Sequence, residues 1–284
     1  MGGRLEGLSV GELVGVALAK GSGRLAGAVG MVERGEDDAL HQVRVSCRRL
    51  RSDLKLFRTF PAGEWATELR ADLAGLAQAC GEARDLEVIA ALVRETATSE
   101  DNPEHVDTIL TKLTVQLERA AARSAEVVLG EQTRDLLTTL EAIAAAPDLK
   151  PTAAQPCSEV LPQLLHTATV KLEDAAGKLK PWTPDDDWHE VRLLAKRVRY
   201  AADTSAGVLG AEAKTTAAHA ATYQELLGQH QDHCAAADAL TAMAADAAAQ
   251  DDPELSFTLG RLTERHRAAR KPLREQFLSL YHRP

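Results

Sequence analysis

Between residues 41 and 58 the apolar positions Val43, Leu50, Leu54 and Phe57 fall together on one side of a helix turning by about 100° per residue. His41, Arg44, Arg48, Arg51, Lys55 and Arg58 fall on a separate stripe about 100° wide, and Arg49 points away from it. The same map returns later in the chain. Val191, Val198 and Ala202 supply an apolar face there, while His189, Arg192, Lys196 and Arg199 supply a basic one. Ala and Leu dominate the rest, and both are strong helix formers. The pattern predicts helices over 9–34, from Asp37 or Asp38 (as cap) to near Pro61, over 63–80, 83–98 and 103–146 with a break near Gly130, then over 157–180, 185–207, 210–228, 230–249 and 253–282. Ser9 and Glu12 read as a capping box, and Asp185 as a cap. The prolines of 147–156 read as a linker.

The two basic segments are copies. His41–Arg51 (HQVRVSCRRLR) and His189–Arg199 (HEVRLLAKRVR) obey H-x-V-R-x-x-x-[RK]-R-[LV]-R at an offset of 148 residues. Gly81–Asp85 (GEARD) then matches Gly228–Asp232 (GQHQD) at an offset of 147. Pro103–Glu104 and Leu110–Thr114 match Pro253–Glu254 and Leu259–Thr263. Matches in one order at nearly one offset imply a duplicated helical plan, with residues 1–150 and 151–284 as its two halves.

Charge changes the picture. The 284-residue chain carries a net charge of −9, which by itself disfavours an anionic partner. That average conceals segregation: 41–58 holds six Arg or Lys against Asp53, 189–199 holds four against Glu190, and 261–284 holds seven against Glu264 and Glu275. Cations about 6 Å apart repel by roughly 2–3 kcal/mol at an effective dielectric of 20, before screening. A helix stabilised for its own sake would interleave Glu with Lys. The row Arg44, Arg48, Arg51, Lys55 and Arg58 has no acid on it, so an anion is the expected partner. Arginine grips phosphate oxygens with two donors, and lysine adds point charge. Only 4% of residues are aromatic, too few for the base stacking of single-stranded nucleic-acid readers. The implied ligand is a base-poor phosphate polyanion, followed over about 21 Å of helix.

These doubled helices, each followed by Gly-x-x-x-Asp and a long helix, resemble the CHAD family of histidine-containing α-helical domains over residues 9–283. The resemblance implies an all-α fold of two helical bundle subdomains related by a pseudo-twofold axis, with a basic cavity between them. It implies binding of inorganic polyphosphate and association with polyphosphate granules in the cytoplasm. Carried over position by position, it assigns His41, Arg44, Arg48, Arg51 and Lys55, then His189, Arg192, Lys196 and Arg199, with Lys20 and Lys171 on the preceding helices as secondary candidates. Asp203 stands where the second stripe should carry a counterpart of Lys55. Some members are fused to a triphosphate tunnel domain, whose E-x-E-x-K signature is absent here.

Other constellations are weaker. His230, His233 and Cys234 share a helical face, but without a distant fourth donor they do not predict a metal site. Asp85 and Asp232 are expected to anchor basic side chains or cap a helix. Arg267, Arg270, Lys271 and Arg274 form a basic ridge that could extend the anion path, with Pro272 disturbing its middle. No phosphate-binding loop, HExxH motif or paired cysteines are present, so neither an enzyme nor a cofactor is expected. No membrane span is expected, and scattered cysteines suggest a soluble protein of a reducing compartment. The alternative is a helical nucleic-acid-binding or protein-adaptor module.

Overall fold

The computed structural model describes residues 7–281. The described residues are all-α, without a β-strand. The helices are α1 (Val10–Glu33), α2 (Ala39–Leu56), α3 (Trp65–Ala79), α4 (Gly81–Thr96), α5 (Pro103–Val128), α6 (Glu131–Ala145), α7 (Cys157–Ala176), α8 (Asp185–Leu209), α9 (Ala211–Ala249) and α10 (Pro253–Tyr281). None is long and apolar enough to cross a membrane.

The described residues divide into two compact units. The first holds those of 1–82, Ala121–Leu172 and Lys196–Ala221; the second holds Ala83–Ala120, Glu173–Ala195 and those from Thr222 on. Each unit thus takes segments from both halves of the sequence repeat.

In the first unit, α1 packs on α2 and α6, and α2 on α3. The packing face of α2 is as its pattern requires: Val43 and Leu50 are fully buried, and Leu54 and Phe57 nearly so. Leu13, Leu18 and Leu25 of α1, Leu69 and Leu73 of α3 and Leu140 of α6 complete this core. Burying each such side chain contributes about 1.5–3 kcal/mol, which holds α2 in place despite its charged outer face. In the second unit Ile89 and Val93 of α4, Ile109 and Leu113 of α5, Leu240 of α9 and Leu259 and Leu262 of α10 form the core. A separate aromatic contact there sets Trp188 edge-on to Phe277, with ring centroids 5.7 Å apart.

The capping box is present: Glu12 N–H donates to Ser9 Oγ at 3.3 Å, and Ser9 N–H to Glu12 Oε2 at 2.8 Å. Gly130 does separate α5 from α6. Four expectations need correction. Asp38 stands at the start of α2 in the left-handed region, φ 61°, and makes no capping bond; its carboxylate accepts from the Gln42 side chain instead. Asp185 is the first residue of α8, and its carboxylate is taken by arginines of α10. The helices expected over 210–228 and 230–249 are one, because Gly228 inside α9 keeps its neighbours helical at a cost of only about 1 kcal/mol. Pro272 sits within an unbroken α10. The proline-rich stretch after α6 is strapped down rather than loose: Lys150 N–H donates to Phe60 O at 2.8 Å, Ala62 N–H to Asp148 O at 3.0 Å and Cys157 N–H to Leu8 O at 2.9 Å.

Close packing of α1 on α2 rests on Gly21. A Cβ there would lie 2.2 Å from Leu50 Cδ2 and 2.8 Å from its Cγ, and Leu50 is fully buried. Gly23, two residues on, faces open space. Gly21→Ala should therefore destabilise by about 1–3 kcal/mol from overpacking, whereas Gly23→Ala should gain up to about 1 kcal/mol from helix propensity. Chemical denaturation of the two variants checks this, and opposite signs are expected.

Candidate anion-binding site

In the first unit the stripe of α2 is present as a row of half-buried cations. Arg44, Arg48, Arg51 and Lys55 are each partly covered by their neighbours. Arg44 Nη1 donates to the carbonyl of Ala77, near the end of α3, at 3.3 Å. Arg48 Nε donates to Tyr200 Oη at 3.2 Å. Arg51 Nε is buried and has no hydrogen-bond partner among the described residues. None of Arg44, Arg48, Arg51 and Lys55 forms an ion pair among the described residues. Arg49, off the stripe, does: its Nη2 lies 3.4 Å from Asp203 Oδ2. Asp203 is therefore absorbed by Arg49, which accounts for its standing where a cation was expected.

The repeated glycine has a physical reason. A Cβ at Gly81 would fall 2.7 Å from Arg44 Nη1, and one at Gly228 would fall 3.7 Å from Arg192 Nε. Each motif arginine thus lies over the glycine of its own repeat. The aspartates that follow have no such uniform role: Asp85 is exposed and has no side-chain partner among the described residues, so the anchoring expected of it is not found.

The other expected residues differ in setting. Lys171 of α7 lies near Lys55, whose ammonium is pulled below its usual range first by burial and then by Arg197, Arg70, Arg58 and Lys171. Lys20 is exposed on α1 and makes no side-chain hydrogen bond or ion pair among the described residues. His41 and Arg199 are half-buried, but Lys196 is buried at 8% exposure, so its charge is less available than the wheel implied. In the second unit His189 Nδ1 lies 2.9 Å from Gln231 Oε1, which can only accept, so Nδ1 carries the proton. Sequence reasoning missed Arg70 and Arg197. Arg70 has a buried Nε without a hydrogen-bond partner among the described residues. It lies on the same face of α3 as Ala77, seven residues away, and therefore beside the stripe. Neither residue lies on a predicted stripe. Arg197, being the repeat counterpart of Arg49, could have been flagged.

The remaining candidates are occupied. Arg270 Nη1 donates to Asp185 Oδ2 at 2.6 Å, and Arg274 Nη2 pairs with Asp185 Oδ1. Arg267 pairs with Glu264 at 2.6 Å, and Lys271 lies 4.0 Å from Glu275. The basic side chains of α10 thus lie against carboxylates, with Arg270 and Arg274 sharing Asp185. Asp185, His230 and Cys234 bring three donors within 4.8 Å of one another. Arg274 Nε, however, donates to His230 Nε2 at 3.0 Å, so His230 carries its proton on Nδ1, facing Cys234 Sγ at 3.8 Å. With its lone pair engaged and Asp185 bridged by two guanidinium groups, the trio is a structural network ill-suited to a cation. Nor can His230 deprotonate Cys234, whose thiol burial pushes up to about 11. His233, also once a donor candidate, lies Nδ1 to Nδ1 2.9 Å from the fully buried His266.

The chain matches the family model "CHAD domain" over residues 17–241. No curated protein matches it. Among solved structures it is similar to PptA from Streptomyces chartreusis, at 22% identity and a TM-score of 0.78, covering 97% of this chain and 99% of that one. It is similar too to the CHAD domain from the plant Ricinus communis, at 21% identity and a TM-score of 0.79, covering 98% and 93%. At these identities the structural likeness establishes the fold alone.

Two predictions follow from this geometry. Gly81→Ala should fold, because only the tip of Arg44 must move, but should unseat that guanidinium and weaken anion binding several-fold; Gly228→Ala should have little effect. Titration of both variants with a phosphate polyanion checks this. Burial lowers His230 and His266 to about 4 from 6.5. The unfolded chain then takes up protons first as pH falls, so stability should decline from about pH 6.5 to about pH 4. Asp53, raised by burial to about 6, acts in the opposite sense but is one group against two. Thermal melts across this range should show the decline, and a shallower one in His266→Gln.

Proposed function

Because the chain belongs to the CHAD domain family, we propose that it is a non-catalytic binding protein for inorganic polyphosphate and that it associates with polyphosphate granules in the cytoplasm. The observation that carries this reading is the row Arg44, Arg48, Arg51 and Lys55, four cations on one face of α2 without an ion pair among the described residues. Their mutual repulsion is relieved when phosphates sit along them. Each phosphate presents oxygens that accept the fork of an arginine, and a long chain engages successive side chains without a new association cost. His41, Lys196 and Arg199 in the first unit and His189 and Arg192 in the second are proposed as further contacts, with Lys171 and Lys20 peripheral. The scarcity of aromatic residues supports polyphosphate over nucleic acid.

Long polyphosphate should bind tightly, orthophosphate at equal phosphate concentration weakly, and binding should weaken steeply with salt. The double charge reversal Arg44→Glu/Arg48→Glu leaves the packing face of α2 untouched and should cost about a hundredfold in affinity. Isothermal titration with polyphosphate, orthophosphate, DNA and RNA at matched phosphate concentration checks it. Equal competition by DNA or RNA would favour a nucleic-acid-binding module, and an unaffected double variant would remove α2 from the site.

A further inference from the structure

The repeat maps Arg49 onto Arg197 and Lys55 onto Asp203, each at the offset of 148. The ion pair Arg49–Asp203 therefore has a repeat counterpart, Arg197 with Lys55. These two also lie close, for Arg197 exerts the strongest charge effect on Lys55. Where one copy holds a cation and a carboxylate, the other holds two cations. Arg58 Nη1, just past the end of α2, donates to the Lys55 carbonyl at 3.3 Å, and Arg70 of α3 and Lys171 of α7 act on the same ammonium as like charges. None of these five side chains forms an ion pair among the described residues, and Arg70 Nε is buried without a hydrogen-bond partner. All five belong to the first unit.

The cluster differs in shape from the row that leads to it. Arg44, Arg48, Arg51 and Lys55 follow one helix and suit the evenly spaced single charges of a chain interior. Around Lys55 the neighbouring cations come instead from α3, α7, α8 and the end of α2. Within a polyphosphate the charge is densest at the ends: an internal phosphate carries one negative charge, whereas a terminal one approaches two near neutral pH. Resting on the polyphosphate reading above, we propose that Lys55, Arg58, Arg70, Lys171 and Arg197 form an end-binding subsite that takes the terminal phosphoryl group of the chain. The dianion stands in for the carboxylate that the other repeat supplies as Asp203. The subsite gives the groove a direction, with the chain end at Lys55 and the interior running towards Arg44, and it favours ligands with free ends.

The test compares a short polyphosphate with the same chain whose two terminal phosphates have been converted to phosphoramidates of a small neutral amine, which removes one charge from each end. Both are titrated into the full chain and into the variants Arg70→Gln/Arg197→Gln and Lys171→Gln. Capping should weaken binding to the unaltered protein by about tenfold. It should make no difference to the double variant and a reduced difference to Lys171→Gln, whose exposed position keeps folding out of question. Equal affinity of capped and free chains for the unaltered protein would overturn the proposal. So would a capping ratio preserved in both variants, which would make the five residues ordinary groove contacts. If neither chain binds, the polyphosphate reading itself falls and takes the end site with it.

Discussion

Like charges on one helix face must be held together by something other than themselves. On α2 that is the opposite face: Val43, Leu50, Leu54 and Phe57 are buried against α1 and α3, and their burial outweighs a repulsion of roughly 2–3 kcal/mol per neighbouring pair. The first unit is arranged around this demand. Gly21 lets α1 close on Leu50, the carbonyl of Ala77 and the bare Cα of Gly81 receive Arg44, and Tyr200 receives Arg48. Such contacts position the cations without neutralising them, as a binding surface for an anion requires.

The acidic side chains tell the same story by where they are. Asp203 is engaged by Arg49, off the row, and buried Asp53 accepts from Thr204 Oγ1 at 2.7 Å. In the second unit Asp185 holds Arg270 and Arg274, and Asp101 holds Arg265. Carboxylates thus stabilise the scaffold and are kept off the stripe. The overall charge of −9 and a basic surface are compatible for this reason.

Most of the architecture was legible in the sequence because it rests on local signals. The Ser9–Glu12 box, the Gly130 break and the two faces of α2 depend on residues a turn or two apart. What failed depended on distant partners. Asp185 looks like a cap until α10 brings two arginines to it, and Gly228 looks like a helix end until α9 runs through it. The Gly-x-x-x-Asp repeat was visible as letters, but its reason, an arginine lying over the glycine, is a tertiary contact some 36 residues away in each copy. Arg70 carries no repeat signal, and only the pairing of α2 with α3 brings it beside the row.

On the polyphosphate reading, Arg44, Arg48, Arg51 and Lys55 stand without ion pairs among the described residues because a phosphate chain lies along them. A crystal structure of the protein with bound polyphosphate tests it most directly. The account predicts phosphorus positions along α2 within hydrogen-bonding distance of Arg44, Arg48, Arg51 and Lys55. Phosphate density confined to other basic surfaces, such as Arg261, Arg265 and Arg267, with the α2 row vacant, would contradict it.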